Sequence, residues 1–205
     1  MVIFTAGILP GNKRLETSEG VEMDMAVSFL NRFVMLKEIV PRLTKTPQFF
    51  SKPRVFIMGM PGTNQEANLD DFNSTKTYGW SSHATTVAAN EALVLHSASI
   101  HPDVDFFGLN PGPIQTSIRS NMLGTGILFN LVEGLIGFFN PTVEQYAKNL
   151  SPLLVSPDLT NKSSLLFNQS TVPIHPSKNM TPDVVARIIK ESDILAASAL
   201  QSSQK

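Results

Sequence analysis

The apolar run Phe106-Phe107-Gly108-Leu109 leads directly into Asn110-Pro111-Gly112-Pro113-Ile114-Gln115-Thr116. A short apolar run of this kind reads as a buried strand, and Pro-Gly directly behind it turns the chain. Open α/β sheets bind ligands outside the carboxyl ends of their parallel strands. The pattern therefore predicts a parallel sheet with the 110–116 loop at its working edge.

Other segments supply partners for that strand. Val2 to Phe4 ends in Thr5-Ala6-Gly7, Arg54 to Met58 lies between Pro53 and Gly59, and Ser164-Leu165-Leu166-Phe167 is a further short apolar run. These predict strands near 2–5, 54–59, 104–109 and 164–167. Between the first two, Val21, Met25, Phe29, Phe33, Leu36 and Val40 recur at helical spacing behind a cap at Thr17 or Ser18. Ser81 to Ile100 is rich in Ala and free of Pro and Gly, which predicts a helix with a narrow face for close packing. Asn140-Pro141 and Thr181-Pro182 announce helices near 141–155 and 182–199. Residues 63–80 are polar and turn-rich, and read as loop. Strands alternating with helices imply one α/β domain over residues 1–205, with right-handed crossovers and helices on both faces of a parallel sheet.

Composition removes several functional classes. A length of 205 residues, 42% of them hydrophobic, suits a single core. Sixteen basic against 17 acidic residues leave a net charge of -1, which gives no field for nucleic acid or an anionic membrane. Cysteine is absent, so neither disulfides nor thiolate chemistry can operate. The triplets at Asn73, Asn149, Asn161, Asn168 and Asn179 fit the glycosylation pattern, but no basic region precedes the apolar start at Met1, and a cytoplasmic chain is expected. The longest apolar stretch, 126–139, is interrupted by Asn130 and Glu133 and is too short for a bilayer span. It reads as a lid or core helix, and its Phe129, Leu131, Leu135, Ile136, Phe138 and Phe139 could cover a small hydrophobic substrate.

The order of these features resembles the short-chain dehydrogenase/reductase family. Thr5-Ala6-Gly7-Ile8 is similar to that family's Asn-Ala-Gly turn, and Glu19-Gly20-Val21-Glu22 with Ala26-Val27-Ser28 to the helix after it. Arg54 to Met60 stands where the family carries a strand and its catalytic Ser. Ala88-Ala89-Asn90-Glu91-Ala92-Leu93 resembles the helix of the Tyr-x-x-x-Lys pair, and the Pro-Gly loop follows. Thr17-Ser18-Glu19-Gly20 and Asp70-Asp71 are similar to a divergent, oxidoreductase-like branch. The resemblance implies a partial doubly wound, Rossmann-like sheet and redox of a carbonyl or alcohol with NAD or NADP. It places the cofactor against Gly7, Pro111, Gly112, Ile114 and Thr116.

Two departures qualify that expectation. Family members begin with a strand and a glycine-rich phosphate turn, and no Gly-x-x-x-Gly-x-Gly occurs in this sequence. The chain therefore reads as truncated, with weak cofactor binding and an open first strand through which it could self-associate. The family's catalytic Tyr and Lys align with His83 and Val87, or after a shift of two residues with Ser81 and Thr85. The Ser and helix Asn positions align with Met60 and Ser28. None of these supplies the cation that a phenolate needs.

His83 is the candidate proton donor, with Ser81, Ser82 and Tyr78 nearby. His96, His101 and His175 lie at no metal-ligand spacing, no Gly-x-Ser-x-Gly is present, and Asp70-Asp71 reads as a solvated turn. Three readings stand: an impaired or inactive oxidoreductase, a non-catalytic interaction module, and a chain whose missing strands come from another chain.

Overall fold

The structure is a computed structural model that describes residues 1–43, 51–114 and 141–203. Thr116 and the apolar 126–139 stretch lie outside the described residues.

Among the described residues five strands form one sheet in chain order: β1 (Val2–Phe4), β2 (Arg54–Met58), β3 (Asp105–Leu109), β4 (Leu165–Phe167) and β5 (Pro173–Ile174). The first four are parallel, with Val2 opposite Val55, Val55 opposite Phe106 and Gly108 opposite Leu166. β5 pairs antiparallel with β4 and was not expected from the sequence. At two residues it is too short for a hydrophobic alternation to register.

A continuous helical run follows β1, made of α1 (Met23–Met25), a π-helical turn (Ala26–Leu30), α2 (Asn31–Ile39) and a 3-10 turn (Val40–Arg42). α3 (Trp80–Ile100) connects β2 to β3, α4 (Val143–Val155) precedes β4, and α5 (Pro182–Ser202) follows β5. Alternation along the strands sends side chains to two cores. Val55, Ile57, Phe106 and Leu166 pack with Phe29, Phe33, Ala89, Ala92 and Ile188 beneath α2, α3 and α5. Phe56, Phe107, Leu109 and Phe167 pack on the other face with Tyr146 and Leu150 of α4. The Phe56 and Phe107 rings stack at 4.9 Å.

The first helix starts later than expected. Gly20 adopts φ +80°, its amide bonds the Thr17 carbonyl at 3.0 Å, and Glu16 bridges Glu22, so residues 17–21 form a turn. Glu22, not Thr17 or Ser18, caps the helix through the amides of Asp24 and Met25. Likewise Thr142, not Asn140, caps α4, in a reciprocal pair with Gln145.

α3 lies unusually close to the end of β2. A Cβ on Gly59 would stand 2.4 Å from Asn90 Cβ, so only glycine admits the helix there. That approach brings the polar residues of α3 against the ends of β1 and β2.

Candidate active site

Along the first helix, Asp24, Ser28 and Arg32 recur every four residues and are all buried. Among the apolar core-facing residues Met25, Phe29, Phe33 and Leu36 this is a polar stripe turned inward. The π-helical turn lies within it, and such turns are frequent at functional sites because they re-aim side chains. α3 answers with a second stripe at three- and four-residue spacing, His83, Thr86 and Asn90, all buried as well.

The two stripes join in one chain of hydrogen bonds. Arg32 donates from Nη1 to the Met58 carbonyl and to Asn90 Oδ1, both at 2.7 Å, and from Nη2 to the Ala6 carbonyl. It thus fastens the carboxyl ends of β1 and β2 to α3. Asn90 Nδ2 donates to the carbonyls of Ser28 and Thr86, each at 2.9 Å. The Ser28 hydroxyl accepts from the Ile8 amide at 2.9 Å and donates to Asp24 Oδ1 at 2.6 Å. Asp24 Oδ2 lies 2.8 Å from His83 Nδ1.

Because a carboxylate only accepts, this contact puts the ring proton on Nδ1. The lone pair of the neutral ring then sits on Nε2, which has no protein hydrogen-bond partner among the described residues. The His83 side chain keeps 10% of its surface exposed, whereas the Asp24 side chain keeps none. Trp80, one turn earlier on α3 and 60% exposed, holds its ring 5.3 Å from the imidazole.

Charge is concentrated here without being solvated. Burial draws the Arg32 pKa down to about 10, opposed by the charge of Asp24, and the guanidinium stays cationic at neutral pH. Burial raises the Glu22 carboxyl, with the Asp24 charge adding to it and the amides of Met25 and Asp24 pulling the other way. The Tyr78 phenol is raised by burial and by the nearby charges of Glu22 and Asp24. An Asp–His pair with a free Nε2 beside a buried cation can hold or release one proton at the protein surface.

The Pro-Gly loop closes the neighbouring part of the edge. Asn110 Nδ2 donates to the Pro61 carbonyl at 3.1 Å, and Asn110 Oδ1 accepts the Gly112 amide at 3.0 Å. Gly112 adopts φ +61°, where a Cβ would also press on Gln169 at 3.2 Å. Pro111, Gly112 and Ile114 are partly buried in this loop, and Gly7 lies just past β1 with the Ser28 hydroxyl beside it.

His83, Gly7, Pro111, Gly112 and Ile114 thus all stand at the carboxyl side of the sheet. Val87 and Thr85, at the alternative Lys positions, are buried, and Thr85 spends its hydroxyl on the Ser81 carbonyl and the Asn68 amide. Asp71 is not a solvated turn residue. It is buried and takes Thr75, Lys76 and Thr77 amides and the hydroxyls of Thr75 and Thr77, which orders the 71–77 loop. Asp24, Arg32 and Asn90 were missed as site residues. Asp24 and Arg32 share a four-residue polar spacing with Ser28, but the packing, not the spacing, turns that stripe inward onto Asn90 of α3.

No protein-family model matches the chain. The sequence is similar to a Saccharomyces cerevisiae protein described as an uncharacterized oxidoreductase, 39% identical over 208 residues. That match takes in 98% of this chain and 66% of the yeast protein, so the chain spans just under two thirds of its relative's length. In three dimensions it is similar to the crystal structure of an uncharacterized protein from Mycobacterium paratuberculosis, with a TM-score of 0.62 over 96% of this chain and 66% of that one. At 17% identity the second likeness carries the fold alone. The chain has a Rossmann-like α/β sheet and is homologous to a protein named as an oxidoreductase.

Proposed function

We propose that this chain belongs to an oxidoreductase of the short-chain dehydrogenase/reductase kind, exchanging hydride between NAD or NADP and a small hydrophobic carbonyl or alcohol. The oxidoreductase homologue supports the general class. The observation that carries the reading is the buried polar chain ending at the free Nε2 of His83, on the sheet edge that also bears the Pro-Gly loop.

The residues present fit one end of a nicotinamide cofactor. Gly7, Pro111, Gly112 and Ile114 would hold the nicotinamide, which when bound would supply the hydride. They do not fit the pyrophosphate end. The helix after β1 starts only at Met23, and its first amides are already taken by the carboxylate of Glu22, which repels phosphate. This chain's residues would orient the substrate oxygen, exclude water from the apolar side and handle one proton at His83.

The alternative, a non-catalytic interaction module, draws on the buried Val87 in place of a lysine. Titration of the intact protein with NADPH and NADH, followed by cofactor consumption over a panel of hydrophobic aldehydes and ketones, separates the two. Weak but saturable binding with slow turnover is expected from the first reading. Absence of nicotinamide binding favours the module.

A further inference from the structure

We propose that Asp24 and His83 form the proton-transfer centre of this site, with Nε2 of His83 exchanging the proton of the substrate oxygen and with Ser28 and Arg32 as positioning residues. The inference rests on the oxidoreductase reading above and assigns the residues that perform its proton step.

Four observations lead to it. The His83 ring is nine-tenths buried and held at Nδ1 by a fully buried carboxylate, so its orientation and tautomer are fixed. The second oxygen of that carboxylate is held by the Ser28 hydroxyl, whose own position is set by the Ile8 amide just past β1. Behind them, Arg32 and Asn90 tie the same helix to the ends of β1 and β2, so the pair cannot shift without breaking backbone contacts on two strands. Finally, Nε2 of His83 has no protein hydrogen-bond partner among the described residues and, unlike the buried Nε of Arg32 that also lacks one, belongs to a side chain that keeps a tenth of its surface open beside the exposed Trp80 ring. A buried ring whose one nitrogen is fully engaged and whose other is free is arranged to act on something outside the protein.

The chemistry follows from this arrangement. When a carbonyl is reduced, the N–H bond at Nε2 breaks, its electron pair stays on the nitrogen, and the proton forms the O–H bond of the product alcohol. The imidazolium becomes neutral imidazole, still bonded through Nδ1–H to Asp24. In the oxidative direction Nε2 takes the hydroxyl proton, and the Asp24 carboxylate faces the imidazolium that forms. The two electrons of the redox change are those of the nicotinamide hydride. The step needs no phenolate, and therefore no lysine at Val87.

The test uses the intact protein with His83→Gln and Asp24→Asn, each checked by thermal unfolding, with NADPH binding, turnover and the 15N spectrum of the His83 ring as readouts. The expected result is that both variants keep NADPH binding and lose turnover, His83→Gln by about 10²- to 10⁴-fold. In its neutral form the wild-type ring should show the Nδ1–H tautomer, and Asp24→Asn should move it toward Nε2–H. Unchanged turnover in His83→Gln, or an Nε2–H ring in the wild type, overturns the dyad while leaving the oxidoreductase reading in place. A wild type that binds no nicotinamide overturns that reading, and the proton step with it.

Discussion

Two buried carboxylates meet at α3, Asp24 against His83 and Glu91 as one of the helix's own residues, and they do different work. Glu91 accepts the Ser177 amide at 2.6 Å, the Ser177 hydroxyl at 2.7 Å and the Gly62 amide at 2.9 Å. Every bond it makes ends on the loop after β2 or on the segment after β5, so Glu91 is a clamp between two loops. Asp24 accepts only two side chains, and one of them is an imidazole with a nitrogen left over. Burial alone therefore does not mark a functional acid. What distinguishes Asp24 is that its hydrogen-bond chain ends on a group open to solvent, whereas that of Glu91 closes on backbone.

The sharpest way to break this comparison is to neutralise each acid in turn. Asp24→Asn keeps the shape and should lower turnover by about 10²- to 10⁴-fold, since the amide favours the wrong tautomer of the ring, with a much smaller fall in stability. Steady-state kinetics beside thermal unfolding checks it. If Asp24→Asn unfolds the protein as readily as it silences it, Asp24 is a second clamp. Arg32→Met comes next, because it removes three hydrogen bonds and leaves the buried Asp24 charge without its cation. Its cost should be about 3 to 5 kcal/mol, measured by denaturant unfolding.

Glu91→Gln reverses the pattern expected for Asp24. A glutamine presents an N–H2 group to one of two clusters of buried donors, leaving at least one donor without an acceptor. A loss of about 2 to 3 kcal/mol in stability is expected, with kcat within a few-fold of wild type. A large fall in kcat at unchanged stability would instead show that the 59–65 loop belongs to the reacting site.

The contrast between these acids explains how far the sequence could be read. The four parallel strands and the helices between them were legible because Val2–Phe4, Arg54–Met58, Asp105–Leu109 and Leu165–Phe167 are apolar runs bounded by turn residues. The Pro-Gly loop was legible for the same reason. Asp24 and Arg32 were not, because a charged residue in a helix ordinarily marks its solvated face, and only tertiary packing shows that this stripe faces inward. The cap at Glu22 was hidden too. Thr17-Ser18 is the stronger local signal, and it lost to a turn that Asn73 pins through the Glu22 amide and the Gly20 carbonyl.

Asn73 sits in the loop that Asp71 orders, so a pH experiment can sharpen the comparison from outside the site. Burial pushes the Asp71 carboxyl up, but hydrogen bonds from Thr77, Lys76 and Thr75 outweigh it and hold the pKa well below the ordinary carboxylate range. A depressed folded value means that Asp71 adds stability above its unfolded pKa and loses it as pH falls through the folded one. Asp71→Ala should cost about 2 kcal/mol at neutral pH and flatten the acid limb of the stability curve. An acid limb identical to that of the wild type would assign acid unfolding to other carboxylates.

The smallest effect is expected at Trp80, and it tests whether the open end of the Asp24 chain meets a ligand at all. The ring is 60% exposed, so Trp80→Ala removes little buried area and should change stability by no more than about 0.5 kcal/mol. Yet the ring stands 5.3 Å from His83, where a substrate delivering its oxygen to Nε2 would lay its apolar part across the indole. Loss of that contact should raise KM for hydrophobic carbonyls by about two- to tenfold, with kcat unchanged because the proton donor and its carboxylate remain in place. Glu91→Gln should show the opposite signature, a change in stability without one in KM. Equal KM values for aromatic and short aliphatic substrates in wild type and Trp80→Ala would mean that the substrate approaches Nε2 from another side.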